Sequence, residues 1–159
     1  MKRVSRLLPP RLALAVVATL ATVLLCGAAR AAVASDASLR ASLQAASKMI
    51  AADAHSVSLN ATLRHPRLMT ASAVRFRKDA LRARTSIARQ RPSTAKGLHA
   101  KGLALRAFTN YAAAGTRWAA SGRARVRGRR ALATTLARRA AVYAKHGNRL
   151  LIAAGKILG

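Results

Sequence analysis

Apolar positions recur along this chain at alternating spacings of four and three, the period of a helix that buries one face. The first series runs Leu39, Leu43, Ala46, Ile50 and Val57, with Asp53 in the same stripe. It predicts a helix from near Asp36, capped by Ser35 or Asp36, to about Arg64, because Pro66 disfavours helical geometry at His65. A second series, Met69, Ala73, Phe76, Ala80, Ala83 and Ile87, keeps the alternation without a break and predicts a helix from Pro66 to about Gln90. Pro66 suits a first turn, where its missing N–H costs nothing.

The third segment opens on Pro92-Ser93-Thr94, a start signal, and carries Leu98, Leu105 and Ala112 on one face with Phe108, Tyr111 and Trp118 beside it. So wide an apolar arc implies contact with two neighbours. It is expected to end around Ser121-Gly122. The fourth resumes by Arg129 with Leu132, Leu136, Ala140, Tyr143, Leu150, Ala154 and Ile157, and Gly147-Asn148 suggests a kink or a separate terminal helix. No stretch alternates at period two for long enough to make a strand. Four similar helices with short connections predict an all-α, antiparallel up-down bundle over residues 35–159.

A faint repeat joins the last two segments: Tyr111-Ala112-x-x-Gly115-x-Arg117 recurs as Tyr143-Ala144-x-x-Gly147-x-Arg149. It marks Gly115 and Gly147 as places where helices cross closely.

Ahead of the bundle, residues 1–34 have the order of a secretory signal peptide. Lys2, Arg3, Arg6 and Arg11 precede an apolar run from Leu12 to Ala29, and Ala32-Val33-Ala34 then offers an exit between Ala34 and Ser35. The body is expected outside the cytoplasm, whether secreted, periplasmic or associated with the envelope, and membrane-anchored if the leader stays on. Cys26, the single cysteine, lies in that leader, so a cleaved chain has no thiol for disulfides, metal or catalysis.

Composition changes the picture most through charge. Thirty Lys and Arg face three acids, Asp36, Asp53 and Asp79, with no Glu, for a formal net charge of +27. A GC-rich genome explains the alanine and the arginine but not the missing acids, since Asp and Glu also have GC-ending codons. An anionic partner follows: envelope phospholipid, a phosphate-bearing wall polymer or an acidic protein. Nucleic acid met outside the cytoplasm is the alternative, weakened by the lack of a stacking platform. A structural envelope protein with no specific ligand is the bland reading.

Two arginine groups stand out. Arg123, Arg125, Arg127, Arg129 and Arg130, punctuated by Gly122 and Gly128, read as a loop leading into the fourth helix, with the glycines letting it shape itself around a phosphate. Arg75, Lys78, Arg82 and Arg89 fall opposite the apolar stripe of the second helix. Three acids and the scattered His55, His65, His99 and His146 argue against an enzyme, and no spacing implies a metal or other cofactor. Asp53, on a buried stripe, is expected to pair with an Arg from another helix.

Overall fold

The structure, a computed structural model, describes residues 35–159; the expected leader, with Ala34 of its expected cleavage site, lies outside the described residues. Those residues form four helices and no strand: α1 (Asp36–Thr62), α2 (Pro66–Arg89), α3 (Ala95–Val126) and α4 (Arg130–Leu158). They pack as a helical bundle. None of the helices is long and apolar enough to cross a membrane.

The helix starts differ in kind. Ser35 closes a capping box on α1, its hydroxyl accepting from Ser38 N at 3.2 Å. Thr94 caps α3 by accepting from Gly97 N at 2.9 Å. Neither α2, which begins with Pro66, nor α4 has a side-chain cap.

The α1 and α2 stripes are buried in the register that the sequence predicts, with Asp53 and Asp79 buried among them. Phe76 is fully buried and packs edge-to-face with Tyr111 and Trp118 at centroid distances of 5.9 and 5.3 Å. The α3 helix lies between α2 and α4 and packs most extensively on these two. The α1 helix packs chiefly on α2.

Three features of α3 and α4 differ from the sequence reading. First, α3 does not stop at Ser121-Gly122 but continues to Val126. Ser121 donates to the Ala133 carbonyl of α4 at 2.7 Å, and a Cβ on Gly122 would stand 2.9 Å from the Pro66 carbonyl. This pair is a close crossing, not a helix end.

Second, α4 runs unbroken through Gly147, where a Cβ would stand 3.0 Å from the Ala107 carbonyl. Gly147 admits a neighbouring backbone, as Gly115 does beside the Ala73 carbonyl, also at 3.0 Å.

Third, the inner line of α4 is Ala133, Ala140, Gly147 and Ala154, repeating every seven residues, while Leu136, Tyr143 and Leu150 are half-buried and Leu132 is exposed. Small residues at the seam let two backbones approach, and the larger side chains then flank the contact line. Leu98 of α3 is exposed for the same reason, while Ala100, Ala104 and Ala107 face inward.

Candidate anion-binding site at one end of the bundle

Arginines from two separate stretches of the chain meet at one end. Arg64 closes the turn after α1, with a left-handed φ of 56°, and Arg67 lies in the first turn of α2. Arg123 and Arg125 lie in the last turn of α3, Arg127 and Arg129 in the following turn, and Arg130 opens α4. All seven are exposed.

Three adjoining clefts record the convergence. One, of about 460 Å³, is lined by Arg64, Pro66, Arg125, Arg130 and Thr134. A second is lined by Arg67, Thr70, Arg123, Val126 and Arg127. The third brings Arg64, His65, Arg67 and Arg125 around Leu68 and Val126. No acid lines any of them.

The five arginines of 123–130 are therefore brought together, but not as a loop. Arg123 and Arg125 are helical, and their charge complements the negative end of the α3 dipole. Arg127, Arg129 and Arg130 instead crowd the positive end of α4, which no side chain caps. The expected glycine-shaped phosphate loop is absent. The N–H groups of Arg127, Gly128, Arg129 and Arg130 donate to Arg123, Arg125, Ala124 and Gly128 carbonyls at 2.9–3.2 Å. Gly128 supplies a left-handed turn (φ 71°), and Gly122 is packed against α2. An anion here meets side chains, not loop backbone.

The sequence reading missed Arg64 and Arg67. They stand about sixty residues from the 123–130 cluster, and no local pattern links the two stretches. Pro66, which fixes a chain reversal beside them, was the available signal.

The second group is divided by its partners. Arg75 Nε donates to Asp53 Oδ1 at 2.9 Å, the inter-helix pair expected for Asp53, and its Nη2 reaches Ser56 Oγ at 3.3 Å. Arg82 Nη1 donates to Asp79 Oδ1 at 3.1 Å. Lys78 and Arg89 are exposed and line a shallow groove along α2 with Val74, Arg77 and Leu81.

The three acids each have internal work. Burial, with the Asp79 carboxyl as a neighbour, pushes the Asp53 carboxyl up from its ordinary value. Asp36 is held low, chiefly by the Thr94 hydroxyl and also by the Ser93 and Thr94 N–H groups, which it accepts at the start of α3. That capped, acid-bearing end holds the N-termini of α1 and α3. The arginine end holds the two uncapped N-termini.

Among the described residues, no three His, Cys, Asp or Glu side chains stand close enough to hold a metal ion. Of the aromatics, Phe76, Phe108 and Tyr111 are buried, and Arg117 covers the Tyr143 ring at 4.2 Å. Comparison of the chain with protein-family models, curated proteins and solved structures gives no match.

Proposed function

We propose that this is an exported, strongly basic helical protein that binds an anionic partner in a non-catalytic role, through the arginine end of its bundle. The observation that carries this reading is the convergence of Arg64, Arg67, Arg123, Arg125, Arg127 and Arg130 on clefts without a carboxylate, with Arg129 exposed in the turn beside them. Guanidinium groups take phosphate bidentately, and several sharing one face add their attraction. Two uncapped helix N-termini supply positive potential at the same face, so the free protein carries a repulsion there that an external anion relieves.

Export rests on the order of residues 1–34: cations, an apolar run, then Ala32-Val33-Ala34. Its removal takes five of the thirty cations and none of the acids, so the basic character stays with the body. The antiparallel up-down arrangement is supported by connections of three to five residues between helices of 24–32 residues. So short a link cannot return along a helix about 36–48 Å long.

The test replaces Arg123, Arg125, Arg127, Arg129 and Arg130 with Gln and titrates polyphosphate, anionic vesicles and duplex DNA at several salt concentrations. A variant with Arg84, Arg89, Arg106, Arg139 and Arg149 replaced carries the same net charge and serves as the control. The expected result is a loss of affinity and a flatter salt dependence in the first variant only, with helix content unchanged. Equal losses in both variants would leave only a diffuse attraction of opposite charges. Preference for DNA over the other two would transfer the site to nucleic acid.

A further inference from the structure

We infer that the partner at this end is an anionic phospholipid bilayer, met end-on, with Leu68 and Val126 entering the acyl boundary while the surrounding arginines hold lipid phosphates. The inference rests on the anion-binding reading above and narrows it to one partner.

Its warrant is the apolar surface set among those charges. Leu68 is 55% exposed and Val126 49%, and both line one cleft with Arg64, His65, Arg67 and Arg125. Val126 also borders the cleft of Arg67, Arg123 and Arg127. Leu63, in the turn beside Arg64, is 53% exposed, and Leu132, in the first turn of α4, 46%. A single exposed leucine is ordinary on a protein surface. Four large apolar side chains at the same end as seven arginines form a composite surface that asks for a composite partner.

The candidate partners differ in what they offer such a surface. A phosphate polymer satisfies the guanidinium groups and leaves Leu68 and Val126 in water. Nucleic acid adds bases, but Phe76, Phe108 and Tyr111 are buried, the half-buried Trp118 packs on Phe76, and Arg117 covers Tyr143. A bilayer interface places phosphates and hydrocarbon within a few ångströms of each other, matching arginines that ring apolar tips. Arginine also suits that boundary physically: its guanidinium is weakly hydrated, and its aliphatic stem lies along apolar surface while the head stays with phosphate.

The experiment places a tryptophan at one position at a time in the full chain: Leu68→Trp, Val126→Trp, and Val142→Trp on the exposed side of α4. Each is titrated with vesicles of phosphatidylcholine alone and of phosphatidylcholine mixed with phosphatidylglycerol. Emission is read as the difference from the parent protein, which cancels Trp118, and bound protein is measured by sedimentation. The readout is local, so binding by another part of the chain does not produce it.

The expected result is a blue shift at 68 and 126 but not at 142, only with phosphatidylglycerol, and lost when the five arginines of 123–130 are replaced with Gln. The double variant Leu68→Ser, Val126→Ser should bind anionic vesicles about tenfold more weakly with helix content intact. Binding without a shift at 68 and 126, or with an equal shift at 142, overturns end-on insertion and leaves anion binding standing. Failure to sediment with anionic vesicles overturns the lipid assignment; polyphosphate titration of the same sample then shows whether anion binding itself fails.

Discussion

Arg75 of α2 donates from Nε to Oδ1 of Asp53 on α1 at 2.9 Å, while Oδ2 of the same carboxyl is buried with no partner. Burial foremost, and then the neighbouring Asp79 carboxyl, push the Asp53 carboxyl above its ordinary 3.8. A raised folded value means that the folded state holds a proton the unfolded chain has released. This contribution is complete below about pH 4 and is lost as pH rises through the raised value. Urea melts between pH 4 and 7 should show that decline. Asp53→Asn, which keeps the shape and offers Asp79 a permanent donor, should flatten it and stay within about 1 kcal/mol of the parent at pH 7. An unchanged slope in that variant would locate the titration elsewhere.

Asp36 works in the opposite direction and in a separate window. Its carboxyl is lowered, foremost by the Thr94 hydroxyl, so its contribution is present above about pH 4 and lost as pH falls through the folded value. Asp36→Asn should abolish any acid-side loss below pH 4 without touching the Asp53 slope. The same melts extended to pH 2 measure it, and an acid limb that persists in the variant would contradict the assignment.

Phe76→Ala should destabilise the bundle by roughly 3–5 kcal/mol. The ring is fully buried in edge-to-face contact with Tyr111 and Trp118, and the neighbouring core positions Ala73, Ala80 and Ala83 are too small to fill the hole. Thermal melts of the two proteins decide it. An unaltered midpoint would mean that this aromatic cluster is not the centre of the core.

The glycines divide by what a methyl group would meet. Gly102 and Gly155 lie in helices, and a methyl added at either would have nothing within 4 Å, so Ala at these positions should stabilise by about 0.5–1 kcal/mol through helix propensity. At Gly122 the methyl would stand 2.9 Å from the Pro66 carbonyl, and backbone cannot step aside as a side chain can. Gly122→Ala should lower stability by about 1–3 kcal/mol despite the propensity gain. Melts of the three variants should rank in that order, and a stabilised Gly122→Ala would mean the α2–α3 crossing is looser than described.

The exported protein should begin at Ser35. Ala32-Val33-Ala34 offers an exit after the apolar run, and Ser35 already serves as the cap of α1, so cleavage there would leave α1 and its cap whole. Intact mass and N-terminal sequencing of protein recovered outside the cytoplasm measure it. Recovery with Met1 in a membrane fraction would identify an anchor instead.

The sequence by itself determined α1 and α2. Large apolar residues alternate there with polar ones, so the buried face stands out, and Pro66 and Pro92 mark where helices must restart. It also determined the excess of cations and the need of Asp53 for a partner. It could not orient α3 and α4, because alanine gives little hydrophobic contrast: Ala on the inner face and Ala on the outer face look the same. The tertiary structure decided that Ala133, Ala140, Gly147 and Ala154 face inward and that Gly122 is a crossing and not a helix end, because only an approaching backbone selects the smallest side chains. It alone decided that Arg64 and Arg67 stand beside the arginines of 123–130, since that adjacency is made by chain reversal and leaves no mark on any local stretch of residues.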